Sequence, residues 1–293
     1  MHESGSMIHY GLLGTGLMGA PLGDRLLGSG SPLTVYNRTP DKTDALAVQG
    51  ATVAPTPEDV LEIADVIVMM VTDAAAVAEL VLSEGSRSRL QGKTLVQMGT
   101  IAPGESRNLM AQVEEAGGSY WEAPVLGSIP EAREGNLIVM VGSMPAQFEA
   151  GAPLLQCFSP QPHYIGTVGQ AMALKLALNQ LIAGLTSTFA LSLAFIQGQG
   201  VDVEQFMAIV RDSAVYAPTF DKKLKRMVEQ DFSNPNFPTQ HLLKDTRLFL
   251  AAAQGLGLDT TGLAGVEPIL EKAIALGLGQ SDYSALFAAL KPD

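Results

Sequence analysis

Cysteine and positive charge are what this sequence has least of. Of 293 residues one is cysteine, Cys157, and one is tryptophan; 18 lysines and arginines face 30 aspartates and glutamates, for a formal net charge of −12. A lone cysteine excludes an intrachain disulfide and suits a reducing, cytoplasmic compartment. The shortage of positive charge leaves no basic face for nucleic acid. An acidic chain can still hold an anion where a few donors converge. The opening "MHESGSMIHYG" has no basic stretch leading into an apolar one, so no secretory signal is read there. Met1–Ser6 reads as a small polar leader to a fold that starts near Met7.

Hydrophobic residues make up 47% of the chain and charged ones 16%, which is ample for buried cores and excludes a disordered chain. One stretch, Leu176–Ile196, carries no charge and is long enough to cross a bilayer. Asn179, Gln180, Thr186, Ser187, Thr188 and Ser192 interrupt it and no second span accompanies it, so it reads as a helix buried on most sides at a domain or subunit boundary.

The chain changes character near residue 166. Before it, short apolar runs at 8–14, 33–37, 65–71, 94–99, 119–125 and 137–142 alternate with helical patterns at 17–29, 40–49, 74–82 and 103–116. That alternation predicts an α/β domain over 7–165 with a mostly parallel sheet, buried on both faces where runs such as "VIVMMV" are continuous. After it, helices are expected over 169–198, 202–212, 218–230, 239–256, 263–277 and 282–290, with Asp202 and Asp282 as N-caps and Gly200, Gly257 and Gly279 as stops. The prediction is therefore an α/β Rossmann-type domain, a long interdomain helix over about 169–198, and an all-α domain over 166–293.

The first strand runs into Gly14-Thr15-Gly16-Leu17-Met18-Gly19. Gly14 permits a tight turn, Gly16 lets a pyrophosphate approach the backbone, and Gly19 lets the following helix pack against the strand. That helix start offers unpaired N–H groups to an anion. Strand, glycine turn, helix and second strand follow in the order a dinucleotide site requires. The second strand ends in Asn37-Arg38-Thr39. An acidic residue there would bind a ribose 2′-hydroxyl; Asn37 removes the acid, and Arg38 offers a planar fork to a 2′-phosphate, with the Thr39 hydroxyl beside it. The pattern predicts NADP(H). Further on, Lys175 and Asn179 stand four residues apart, on one helix face. On its chemistry alone Lys175 is either a helix-end lysine reaching for water or a buried amine with a lowered pKa that exchanges protons near neutrality.

The glycine turn, "NRT", "EAPVLGSIPEAREGNLIVMVGS" at 122–143, "KLALN" at 175–179 and "FPTQHLLKDTRL" at 237–248 occur in the order found in β-hydroxyacid dehydrogenases, and the resemblance runs from Met7 to the end of the chain. Within that family the sequence is most similar to the glyoxylate/succinic semialdehyde reductases, also described as gamma-hydroxybutyrate dehydrogenase-like; "NFP…H…KD" and "ALGLGQSDYSAL" carry that likeness. The resemblance implies a Rossmann and a helical domain with the active site in the cleft; the long apolar helix, much of which a monomer would expose, points to a homo-oligomer, dimer or tetramer. It implies that Lys175 protonates a carbonyl oxygen, that Asn179 orients substrate and lysine, and that Thr100, Val71 and Thr72 line the cofactor. It further assigns Gly127 and Ser128 to a substrate carboxylate, Phe237 to an aromatic closing over the site, Lys244 to the cofactor and Asp245 to the neighbourhood of the amine. Thr100 could instead cap the helix near Pro103, Phe237 could be core, and Lys244–Asp245 a solvated pair.

Two departures stand out. Leu126 occupies a place where the family commonly has serine, and a lost hydrogen bond to a charged group costs about 1.5–3 kcal/mol. Gly99 likewise stands where serine is frequent. The implied function is NADPH-dependent reduction of small aldehyde or keto acids, with a small carboxylate as substrate and no metal, nucleic acid or membrane as partner. An imine reductase or a 3-hydroxyisobutyrate-type dehydrogenase is the alternative, and a non-catalytic NADPH-binding module the alternative of another class; imine reductases and non-catalytic relatives typically lack the lysine. A 6-phosphogluconate dehydrogenase would need a longer chain and a histidine in the lysine segment.

Overall fold

The computed structural model describes residues 7–291; the polar leader inferred for Met1–Ser6 lies outside them. The chain divides into two compact units, one ending at Lys175 and one beginning at Leu176.

The first unit is a nine-stranded sheet with helices on both faces. Its strands are β1 (Tyr10–Leu13), β2 (Leu33–Tyr36), β3 (Thr52–Val53), β4 (Val66–Met69), β5 (Thr94–Gln97), β6 (Ser119–Glu122), β7 (Val125–Leu126), β8 (Ile138–Gly142) and β9 (His163–Gly166). The order β3-β2-β1-β4-β5-β6 is parallel throughout. β8 runs antiparallel to β6 and β7, and β9 lies parallel to β8. The strand order reverses between β1 and β4, where open α/β sheets bind ligands beyond the strand ends. One core holds Leu12, Leu22, Val35, Val68, Val96 and Trp121; the opposite face buries Leu13, Ile67, Met69, Leu95, Val113 and Tyr120. This is the physical content of the uninterrupted apolar runs: neighbouring residues of one strand enter different cores.

Several local expectations are corrected. The run 119–125 is two strands, because Pro124 has no N–H for a ladder and the chain re-pairs with β8 from Val125 on. β3 and β9 are additions; each is short or largely exposed and carries no apolar run to betray it. The helix expected over 40–49 begins as a 3-10 turn, Pro40–Thr43, and continues as Asp44–Val48.

The second unit is helical: Val203–Arg211, Pro218–Glu229, Thr239–Gly255, Thr261–Ala264, Val266–Ala273 and Leu286–Leu290 pack on the end of the helix Gln170–Gly198. Asp202 caps its helix through the Gln205 N–H, and Asp282 accepts from the Ser284 N–H. Gly200 and Gly257 end their helices with φ of 72° and 74°. Gly279 does not: its φ is −61°, and the left-handed residue is Gly277, φ 83°, inside a π turn at Ile274–Leu278. Ala183, Phe189, Ala190 and Leu193 of the long helix enter the core of this unit, while Leu181, Leu185, Leu191 and Phe195 remain exposed. Burial on most sides therefore does not hold in the isolated chain. A second apolar stripe faces outward, and among the described residues this is the one helix long and apolar enough to cross a membrane.

Candidate functional site

In the first unit the sequence-predicted residues gather at the C-terminal ends of β2, β1, β4 and β5. Gly14 follows β1 with φ 96°, and a Cβ there would overlap the Met70 carbonyl oxygen just past β4. A Cβ at Gly19 would overlap the Gly14 carbonyl oxygen. Both glycines are thus required by the turn itself. Around Gly16 nothing lies within 4 Å of a would-be Cβ, so its backbone is open to a ligand. The helix Gly19–Gly28 begins at Met18 without a side-chain cap; its Ala20 N–H bonds the Gly16 carbonyl at 3.0 Å and Pro21 has no N–H, so the uncapped amides that can meet an anion belong to the turn just before the helix. The Thr15 hydroxyl is buried without a hydrogen-bond partner. An open glycine backbone, uncapped amides and an orphaned buried hydroxyl fit a dinucleotide pyrophosphate.

Asn37 does more than replace an acid. Its Oδ1 accepts from the Thr15 N–H at 3.0 Å and its Nδ2 donates to the Thr39 carbonyl at 2.9 Å, so it ties the glycine turn to the end of β2. Arg38 and Thr39 are exposed beside it. Val71 and Thr72 follow β4, Val71 within contact distance of the glycine turn. Gly99 packs on the Val71 backbone, and its carbonyl accepts from Gln97 Nε2 at 2.7 Å, which sets the approach to Thr100. Thr100 is not the cap of the next helix: Ala102 holds that position, with its N–H bonded to Glu105 at 2.7 Å.

Gly127 and Ser128 lie beyond β7. Gly127 has φ 134°. The Ser128 N–H donates to Glu131 Oε2 at 2.8 Å and its hydroxyl donates to the same oxygen at 2.5 Å. Both Ser128 donors, which the resemblance assigns with Gly127 to a substrate carboxylate, are engaged by a carboxylate of the chain itself. Leu126 pairs in register with Ile138, which is exposed. The serine-to-glutamate spacing at 128–131 is a helix-start signature that sequence reading passed over.

Lys175, the last residue of the first unit, is 9% exposed. The helix start three residues before it is held by a group the sequence reading did not single out. Glu122, wholly buried, accepts from the N–H groups of Gly169 at 2.8 Å and Met172 at 3.0 Å and from the Ser106 hydroxyl at 2.5 Å. Burial pushes its carboxyl above the usual range, against the pull of Ser106 and the amides. A charged residue inside the apolar run "SYWEAPV" was the available signal.

In the second unit Asn179, 3% exposed, donates through Nδ2 to Asp245 Oδ2 at 2.6 Å. Asp245 Oδ1 stands 2.8 Å from Lys244 Nζ, an ion pair that falls outside aligned hydrogen-bond geometry. With Asp245 3% exposed, this is no solvated surface pair. Phe237 is half-buried, edge-on to Tyr283 with centroids 5.8 Å apart and tilted against His241. Burial, then Lys244, pulls the His241 imidazole below its ordinary value. Nearby, Lys223 contacts both carboxylate oxygens of Asp282 at 2.8 Å. No group of three or more metal-ligating side chains occurs among the described residues.

Residues 9–180 match the family model described as the NAD binding domain of 6-phosphogluconate dehydrogenase, and residues 169–290 the model described as NAD-binding of NADP-dependent 3-hydroxyisobutyrate dehydrogenase. Glyoxylate/succinic semialdehyde reductase 2 of Arabidopsis thaliana, a chloroplastic protein, is 30% identical, over 97% of this chain and 80% of its own length. The 2-hydroxy-3-oxopropionate reductase of Escherichia coli is 32% identical, over 96% of both chains. In fold, the chain matches a 3-hydroxyisobutyrate dehydrogenase of Mycobacterium tuberculosis with a TM-score of 0.87 at 21% identity, over 98% of this chain and 100% of that one.

Proposed function

The chain belongs to the β-hydroxyacid dehydrogenase family, and we propose that within it the protein reduces small aldehyde and keto acids, with Lys175 as proton donor. Membership makes it an NADP-dependent oxidoreductase acting on CH–OH groups, with NADP(H) as cofactor and a small molecule as substrate. The finer reading is that it turns glyoxylate into glycolate and succinic semialdehyde into 4-hydroxybutyrate, supported by the name of the Arabidopsis relative.

The observation that carries this reading is a lysine only 9% exposed on an unbroken helix, one turn before an asparagine only 3% exposed. Gly14–Gly19 would hold the pyrophosphate, Arg38 the 2′-phosphate, and Val71, Thr72, Thr100 and Lys244 the rest of the dinucleotide, which when bound supplies a hydride to the carbonyl carbon. Lys175 gives a proton to the carbonyl oxygen as negative charge develops there. Asn179, its amide fixed by Asp245, orients lysine and substrate. Gly127 and Ser128 take the acid end of the substrate, in exchange for Glu131, and Phe237 covers it. Leu126 makes that hold weaker than a serine would. The exposed stripe Leu181, Leu185, Leu191 and Phe195 is assigned to a contact with a second copy, in a dimer or tetramer. The single cysteine supports a cytoplasmic location.

Replacing Lys175 by Ala tests the mechanism. Turnover of succinic semialdehyde should fall by about 10²–10⁴-fold while NADPH still binds. Full activity in that variant sinks the assignment, and a cyclic imine reduced faster than either acid would replace it with imine reduction.

A further inference from the structure

Glu122 is fully buried and, among the described residues, forms no ion pair. Its hydrogen-bond partners are neutral, and they and the strand of Glu122 itself belong to segments that adjoin residues of the proposed site. The strand that carries Glu122 continues through Ala123 and Pro124 to Gly127 and Ser128. Ser106, donating to Oε2, lies in the helix Pro103–Glu115 that follows Thr100; its oxygen also stands 2.8 Å from the Tyr120 hydroxyl, so Tyr120, Ser106 and Glu122 form one chain of donors. Gly169 and Met172 offer their N–H groups to Oε1 from the first turn of Gln170–Gly198, and Lys175 follows Met172 by three residues, about one turn. A helix leaves four such amides unpaired at its start, and a carboxylate there is favoured by the helix dipole as well. The sheet makes room for this contact: a Cβ at Gly142, directly opposite on β8, would stand 2.6 Å from Glu122 Oε1.

We propose that Glu122 is a positioning residue for Lys175. By gripping the amides of Gly169 and Met172 it sets the height and rotation of the helix start, and through them the place of the amine one turn on. This rests on the reading of Lys175 as proton donor. A residue that merely stabilised the fold would change the amount of folded protein. A positioning residue changes the rate per folded molecule, and only when the lysine is present to be positioned.

The experiment uses the full chain with Glu122→Met, which fills the space without an acceptor, and Glu122→Gln, whose amide oxygen can still accept from both helix amides. NADPH affinity is measured by fluorescence titration, and kcat and KM with succinic semialdehyde. E122M should bind NADPH within twofold of the parent and turn over at least tenfold more slowly, and E122Q should recover to within about threefold. On the Lys175→Ala background, E122M should cause no further loss. Turnover by folded E122M within twofold of the parent, E122Q as slow as E122M, or a full additional loss on the K175A background each overturns the proposal. Should E122M not accumulate as folded protein, Glu122→Asp, which keeps the charge and shortens the reach by one methylene, carries the same expectation of lowered kcat at unchanged NADPH affinity. Normal turnover by K175A would instead remove the reading of the lysine, a result distinct from any failure of Glu122.

Discussion

The two units bury acidic groups in opposite ways. In the first, Glu122 is held by two backbone amides and a serine hydroxyl, all neutral. In the second, Asp282 is held by a cation: Lys223 Nζ sits 2.8 Å from both oxygens and 4.1 Å over the ring centre of Tyr283. The consequences differ in kind. Neutral donors offset only part of the cost of burying a charge, so the Glu122 carboxyl titrates high. In the ion pair the same cost falls visibly on the lysine, whose pKa burial lowers against the pull of Asp282. Tyr283, between the pair and Phe237, is pushed up to about 12, chiefly by burial. An acid held by amides can lose its proton partner and remain satisfied; an acid held by a lysine cannot lose the lysine.

Breaking the ion pair should therefore have the largest effect. Lys223→Met leaves Asp282 charged and buried without a counter-charge, held only by the Ser284 N–H and hydroxyl, which costs about 3–5 kcal/mol. The single tryptophan, Trp121, belongs to the first unit's core. Guanidinium unfolding should then show an early helical transition by circular dichroism while Trp fluorescence changes at its parental midpoint. Coincident early transitions by both probes would show that the two units do not unfold separately.

An exposed cation should matter less. Arg38→Ala should raise KM for NADPH by roughly tenfold, about 1.4 kcal/mol, and leave KM for NADH nearly unchanged, with the difference shrinking as salt is added. Equal effects on both cofactors would mean that Arg38 does not meet the 2′-phosphate.

The smallest effect sharpens the contrast through pH. The ordinary carboxyl value is 4.5 and the folded Glu122 value lies above it. The folded state therefore binds the proton more tightly than the unfolded chain. Its contribution is fully present below 4.5 and is lost as pH rises through the folded value. Glu122→Gln cannot ionise, so the parent should lose stability relative to E122Q across that window. Thermal melts followed by Trp121 fluorescence would show it; parallel curves from pH 4.5 to 8 would contradict it.

Much of this architecture was legible in the chain. Alternating apolar runs and helical patterns foretold β1, β2, β4, β5, β6 and β8, and the glycine spacing placed the turn after β1. What stayed hidden had a physical reason in each case. β3 is two exposed residues, and Gly277 rather than Gly279 takes the left-handed turn because a π turn shifts the helix end. Side-chain partnerships across long separations, Glu122 with Gly169 or Lys223 with Asp282, are products of the folded chain, and no local pattern encodes them. Asn179 with Asp245 was within reach, since both residues stood out by motif, but the 2.6 Å bond between them was not.

The three glycines of the first turn answer to different judges. Gly14 and Gly19 are demanded by the chain's own carbonyls, which any side chain would strike, whereas the first carbon of a side chain at Gly16 would meet nothing within 4 Å. A lineage that kept the fold and gave up its chemistry could let Gly16 drift but not the other two. A side chain at Gly16 would then record a lost occupation before any change of shape did.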